Sequence, residues 1–327
     1  MSQLRPTAHM DGEDGSMTES TRRMSCWLPI VAHALLSALL CSCDARKPAV
    51  PAPTPNPKPM RIVSLAPSIT EILFAIGAGS RIVGVTKYCD YPVEACALPK
   101  IGGYYDPSIE AIATLNPDLA ILFEYQSGVP EKLAVMNIPM CKVNGKTMAD
   151  VYASIATVGK ACGQEKESEE LLRSMRARVR AVRARRDNAL TKPKVMIAVG
   201  HAMGNAAIND TYIVGADGFY DIMLDDVGAV NACQEQTAAF PKVSKEGMIE
   251  MDPDIIIDLC SDLEKQNITR EEVLEQWRKM TDIKAVREKR VYVLTDDFAT
   301  IPGPRFPMLL EKLADTIHPS RRSEIDE

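Results

Sequence analysis

The stretch Asp106–Phe123, DPSIEAIATLNPDLAILF, decides the fold, because its pattern returns 136 residues later at Lys242–Leu259, KVSKEGMIEMDPDIIIDL. Ser108, Glu110, Pro117 and Asp118 recur as Ser244, Glu246, Pro253 and Asp254. Each copy reads as a short helix ended by a Pro-Asp turn, then an apolar run (LAILF, IIID) with the length and texture of a buried strand. Two copies this far apart predict two similar lobes. Each copy also places one exposed glutamate on the first turn of its helix.

Working outward, Arg61–Leu65 and Arg81–Val85 read as strands. Ser68-Ile69-Thr70-Glu71 has the form of a capping box opening a helix that stops at Gly77 and Gly79. The loop Thr86–Lys100 ends in Ile101-Gly102-Gly103-Tyr104-Tyr105, and Asp106 is expected to cap the helix that follows, with Pro107 at its first position. Residues 164–190 contain neither Pro nor Gly and carry Leu171, Leu172, Met175, Val179 and Val182 at helical spacing, which predicts one long helix as a rigid strut. Lys194–Val199 opens the second half as a strand, and Tyr212–Val230 reads as a turn and a helix. The fold class is therefore α/β: two Rossmann-like lobes with mainly parallel sheets, residues 60–163 and 191–320, joined by a backbone helix over 164–190, with a tail at 321–327.

The termini and the composition narrow the setting. Trp27–Leu40 is an apolar run too short to span a bilayer comfortably, but it fits the core of an export signal over residues 1–42. Leu40-Cys41-Ser42-Cys43 resembles a lipobox with Cys43 as the lipidated residue; a plain secretory signal or a signal anchor is the alternative. Residues 43–59 would then be the anchor and a Pro-rich spacer, extended by prolines at nearly alternate positions from Pro51 to Pro59. This places the folded part at the extracytoplasmic face, or in the periplasm, tethered to the cell membrane. The net charge of −6 argues against a nucleic-acid partner, and the Arg-rich segment Arg173–Arg186 reads as a solvated helix face. Of nine cysteines, six fall in the folded part: Cys89, Cys96, Cys141, Cys162, Cys233 and Cys260. Cys89 and Cys96 are the candidate disulfide across a short loop, with buried free thiols as the alternative, and the spacings match no zinc pattern.

The chain has no GxGxxG, GxxxxGK, GxSxG or HExxH motif, and its four histidines stand at 9, 33, 201 and 318. A metallohydrolase or metal receptor built on a histidine cluster is disfavoured, and no resident cofactor or catalytic residue is expected. Binding in a cleft between the lobes is the better reading.

RIVSLAPSITEILFAIGAGSRIVGVTKYCDYPVEACALPKIGG, with NPDLAIL after it, resembles the first lobe of class III periplasmic substrate-binding proteins of ABC importers. FYDIMLDDVGAVN, FPKVSKEGMIEMDPDIII and VYVLTDDFATIPGPRFPMLLEKLADTIHP extend the resemblance through residue 320. The resemblance implies a monomer that is not an enzyme and that delivers a metal chelate to an ABC permease dimer in the inner membrane. A cobalamin or related corrinoid is placed first, a haem or ferric siderophore next. It implies Glu110 and Glu246 as permease-docking residues and Tyr88, Tyr104, Phe240 and Phe298 as cleft residues. His201 is a possible axial ligand to the chelated metal, with Tyr104 or Tyr105 opposite. Arg305 either meets a ligand carboxylate or braces the cleft, and Asp90 orders its loop. An anionic siderophore would ask for clustered cations, for which Lys87, Lys100, Lys242 and Arg305 are available. A free transition-metal receptor, or a cell-surface enzyme or sensor on the same fold, stays open as the alternative.

Overall fold

The computed structural model describes residues 58–186, 192–201, 208–216, 218–236 and 238–319. Cys43, the export signal, most of the Pro-rich spacer, residues 187–191 and the tail at 321–327 lie outside the described residues.

Lobe one runs β1 (Ile62–Ser64), α1 (Pro67–Ala75), β2 (Ile82–Val85), α2 (Ile109–Thr114), β3 (Leu119–Phe123), α3 (Val129–Val135), β4 (Met140–Val143) and α4 (Met148–Cys162). Its sheet has the order β2-β1-β3-β4, all parallel. The strut α5 (Glu165–Arg186) follows after Gly163, whose φ of 61° ends α4 in the left-handed region. Lobe two runs β5 (Lys194–His201), β6 (Asp210–Ile213), α6 (Phe219–Asp226), β7 (Val230–Asn231), β8 (Lys242–Ser244), α7 (Lys245–Met251), β9 (Ile255–Leu259), α8 (Leu263–Gln266), α9 (Arg270–Arg278), α10 (Lys284–Arg287), β10 (Val291–Leu294) and α11 (Phe306–Ile317). Its sheet has the order β10-β9-β5-β6-β8, with β7 also parallel to β5. The pairs β5–β6 and β6–β8 are antiparallel, so this sheet is mixed, its β10–β9, β9–β5 and β5–β7 pairs being parallel. Tyr212 therefore lies inside a strand, Asp210–Ile213, instead of opening a turn, and this strand adds the antiparallel edge.

The repeat has a physical basis at each conserved spacing. Ser108 and Ser244 are the helix N-caps, accepting from Ala111 N at 3.2 Å and Gly247 N at 3.3 Å. Asn116 and Asp252 take the left-handed conformation (φ 44° and 38°) that turns the chain out of each helix, a conformation Asn and Asp tolerate better than other residues with a Cβ. Asp118 and Asp254 then pin the incoming central strand: Asp118 Oδ2 accepts from Met60 N and Arg61 N, both at 2.9 Å, and Asp254 Oδ2 from Lys194 N at 2.8 Å. Both following strands, β3 and β9, are buried throughout, as sheets covered on two faces require.

Three local expectations are corrected. The cap of α2 is Ser108 and not Asp106. Helix α1 begins at Pro67 with Ala66 as a cap lacking any side-chain bond, so Ser68 and Glu71 lie inside the helix and form no capping box. Cys89 and Cys96 are free: the buried Cys89 thiol lies 3.2 Å from Thr70 Oγ1 and 3.1 Å from Thr86 Oγ1, while Cys96 is exposed and donates to Asp90 O at 3.4 Å.

The strut buries Leu172, Met175, Val179 and Val182, and at 1.5 Å per residue its 22 residues span about 33 Å. Those side chains belong to one apolar core that also takes in Ile62, Ile155, Met223 and Leu310, so both lobes share it. Arg178–Glu311, Arg183–Asp226 and Arg185–Asp315 tie the strut to lobe two.

Candidate ligand cleft

A cavity of about 820 Å³ opens between the lobes, at the C-terminal ends of the strands where α/β sheets place ligands. Lobe one supplies Ala66, Pro67 and Ser68 after β1, Tyr88 after β2, Phe123 and Tyr125 at the end of β3, and Gly145, Lys146, Thr147 and Asp150 after β4, together with Tyr104 and Tyr105. Lobe two supplies Val214, Gly218, Phe219, Tyr220, Gln236, Ala238, Ala239, Phe240, Thr300, Ile301 and Pro302.

Aromatic rings dominate this wall. Phe123 and Tyr125 stack at 4.9 Å, Tyr104 meets Tyr105 edge-on at 4.6 Å, and Tyr220 lies 6.2 Å from Phe240. Tyr88, Tyr105 and Phe240 are 51%, 77% and 46% exposed, so aromatic surface remains accessible to a ligand. Burial, with a hydrogen bond to Tyr125, pushes the Tyr104 phenol above its ordinary range, and burial does the same for Tyr125. Tyr220 is held by donating to Ala299 O at 2.9 Å.

Two buried amides order the loops. Gln126 Nε2 donates to Tyr104 O at 2.7 Å and Leu65 O at 3.1 Å while Gln126 Oε1 accepts from Phe123 N at 2.8 Å, so one side chain joins three cleft segments. Asn231 plays the matching part in lobe two, donating to Gly215 O at 2.9 Å and Val214 O at 3.3 Å.

Among the described residues the charged lining groups are Lys146 and Asp150. Lys146 Nζ stands 5.7 Å from the Tyr125 ring centroid. Of the cations named from sequence, Lys100, Lys242 and Arg305 are engaged by protein partners, and Lys87 stays beside the cleft residue Tyr88. Lys100 Nζ donates to Cys89 O at 2.9 Å, Lys242 pairs with Asp210 at 3.0 Å, and Lys87 lies over Tyr88. Arg305 is not among the residues lining the cavity: it holds Glu71 by two bonds (2.6 and 3.0 Å), reaches Asp297 at 2.8 Å, and lies 3.6 Å from the Tyr91 ring centroid. This is the brace alternative, and it joins lobe two to the first helix of lobe one. Phe298 is 9% exposed, packs 5.7 Å from the same guanidinium, and is absent from the cavity wall, so it serves lobe packing. Asp90 orders its loop by an ion pair across to Lys265 at 2.6 Å.

His201 ends β5, and the expectation of an axial ligand falls on a side chain outside the described part. Among the described residues no group of three or more His, Cys, Asp or Glu could hold a metal ion. The sequence does not mark Tyr125, Gln126 and Lys146, because isolated loop residues carry no periodicity, nor Asp150 and Tyr220, which stand on the first turns of α4 and α6 where nothing local shows that they face the cleft.

Glu110 and Glu246 are exposed on the first turns of α2 and α7. Each is steadied by the cap below it. Ser108 Oγ donates to Glu110 Oε2 at 3.2 Å, and hydrogen bonds from its own backbone N–H and from Ser244 hold the Glu246 carboxyl below its ordinary value.

The family model described as "Periplasmic binding protein" matches residues 62–298. The chain belongs to the periplasmic binding protein family. Its curated relatives include the uncharacterized ABC transporter substrate-binding lipoprotein YvrC of Bacillus subtilis, 30% identical over 274 residues and covering 82% of each chain. A vitamin B12-binding protein of Vibrio parahaemolyticus is 25% identical over 249 residues, 75% of this chain and 84% of that one. Among solved structures, the periplasmic heme-binding protein RhuT from Roseiflexus sp. RS-1, in apo form, superposes with a TM-score of 0.67 at 29% identity, over 79% of this chain and 97% of that one. The expected class, a substrate-binding protein of an ABC transporter with two α/β lobes on one backbone helix, is thereby met. No helix among the described residues of this binding protein is long and apolar enough to cross a membrane.

Proposed function

We propose that this binding protein works at the extracytoplasmic face, held to the membrane by a lipid on Cys43, where it captures a flat metal chelate and hands it to an ABC permease. The observation that carries the ligand class is the cleft: about 820 Å³ walled by aromatic rings, with Lys146 and Asp150 as its charged groups among the described residues. Broad rings stack on such walls, and the apolar area they cover drives binding. A corrinoid fits first and a haem next. A polyanionic siderophore is poorly served, since Lys100, Lys242 and Arg305 are all committed to protein partners. Vitamin B12-binding and heme-binding relatives support the same two ligands.

Delivery is assigned to Glu110 and Glu246, one per lobe at repeat-related positions, as the points that meet basic pockets on the permease. The test is uptake of labelled cyanocobalamin or haemin into proteoliposomes carrying the permease, with the Glu110→Ala/Glu246→Ala protein. Transport should fall to background while ligand affinity stays within about twofold. Intact transport, or lost affinity, would remove these residues from docking.

A further inference from the structure

Away from the cleft, one flank of α5 concentrates like charge. Arg173, Arg176, Arg180 and Arg183 follow at intervals of three, four and three, which stacks them along one side of the helix. Like charges at this spacing destabilise a helix unless something neutralises them. Arg183 is neutralised by Asp226 at 2.7 and 2.8 Å. Among the described residues Arg173, Arg176 and Arg180 have no carboxylate within ion-pair distance, although Glu169 stands on the same flank. Arg176 instead lies 5.3 Å from the Tyr152 ring centroid.

These arginines are not merely a solvated crest. Arg176, Arg180 and Arg183 rim a cavity of about 580 Å³ whose other walls include Met148, Tyr152 and Ile222. Ile222 is 37% exposed there. The cavity sits where α4 of lobe one, the strut and α6 of lobe two meet, and Thr147 lines both it and the ligand cleft. Rim and floor select for different parts of one molecule. Guanidinium forks match the paired oxygens of phosphate or carboxylate. The apolar floor asks for hydrocarbon.

We propose that this groove binds an anionic amphiphile: a phosphate- or carboxylate-type head held by Arg176 and Arg180, with an apolar body against Met148, Tyr152 and Ile222. A bare phosphate would leave the floor wet, and a neutral apolar molecule would leave Arg176 and Arg180 uncompensated. The site is independent of what the cleft binds.

Isothermal titration of the purified full chain with lauryl phosphate below its micelle concentration tests the proposal, alongside inorganic phosphate and dodecyl maltoside. Lauryl phosphate should bind one to one. Inorganic phosphate should bind at least about tenfold more weakly, and dodecyl maltoside should not compete. Arg176→Gln/Arg180→Gln should weaken lauryl phosphate at least about tenfold, the order expected for losing charge-assisted hydrogen bonds, with helical ellipticity unchanged. Ile222→Ser should weaken lauryl phosphate but not inorganic phosphate. Inorganic phosphate binding as tightly as lauryl phosphate would show a free-phosphate site and overturn the amphiphile assignment. No binding of lauryl phosphate, equal affinity for the arginine variant, or equal binding of dodecyl maltoside would overturn the site itself.

Discussion

Removing the Glu71 carboxylate should leave the Arg305 guanidinium stranded between the lobes. The pair is closed to solvent, with side-chain exposures of 2% and 11%, and its two hydrogen bonds measure 2.6 and 3.0 Å. Breaking a buried pair from one side costs about 3–5 kcal/mol, because an uncompensated charge remains. Arg305 keeps Asp297 at 2.8 Å, so Glu71→Met should sit near the lower end, about 3 kcal/mol. Arg305→Met leaves a carboxylate instead, which can escape its penalty by taking up a proton. Burial already pushes the Glu71 carboxyl above its ordinary 4.5, so this variant should lose less stability in mild acid than at neutral pH. Glu71→Met/Arg305→Met removes both charges together and should cost far less than the sum of the single changes, a coupling of at least about 2 kcal/mol. The assay is urea unfolding followed by the fluorescence of Trp277, which is fully buried with its indole N–H donating to Asp258 Oδ2 at 2.8 Å. Additive losses, or single variants as stable as the parent, would refute the claim that this pair braces the lobes.

Other consequences follow from the same geometry. A Cβ at Gly303 would lie 3.2 Å from both Glu71 Oε2 and Ser68 Cβ, so Gly303→Ala should push the Thr300–Pro302 wall off lobe one and weaken cleft binding several-fold, read by ligand titration. Asp254→Ala should cost about 1.5–3 kcal/mol at pH 7 by unpinning β5, measured by urea unfolding. Hydrogen bonds from Lys284 and the Lys194 backbone hold the Asp254 carboxyl below 3.8, so its contribution is present above that pH and is lost as pH falls through the lowered value. The stability gap between parent and Asp254→Ala should therefore close in acid. Tyr104→Phe should keep cleft affinity within about threefold, since the ring supplies the contact, whereas Tyr104→Ala should lose at least tenfold; equal losses would move the role from ring to hydroxyl.

The lobes, the strut and the exposed placement of Glu110 and Glu246 were legible because the repeat writes local physics into sequence. Ser108 and Ser244 cap, Asp118 and Asp254 pin, and β3 and β9 are buried runs. What was illegible depends on partners far along the chain. Ser68 and Glu71 spell a capping box, yet Pro67 starts the helix two residues earlier and Glu71 finds Arg305 instead, 234 residues away. The spacing of Cys89 and Cys96 suggested a disulfide, but Thr70 and Thr86 surround the Cys89 thiol in the folded core. Tyr88, Tyr104, Tyr105 and Phe240 were found through family resemblance, and Tyr125 and Lys146, on neighbouring loops, were not. The Arg173–Arg186 segment read as a solvated face because only the packing of α4 and α6 beside it creates the groove.

The central claim is that the aromatic cleft takes a flat metal chelate, and visible-absorbance titration of the purified protein with cyanocobalamin, haemin and a ferric hydroxamate tests it most directly. The expected result is a saturable one-to-one complex with cyanocobalamin or haemin that Tyr104→Ala weakens. Saturation by none of the three would contradict the account.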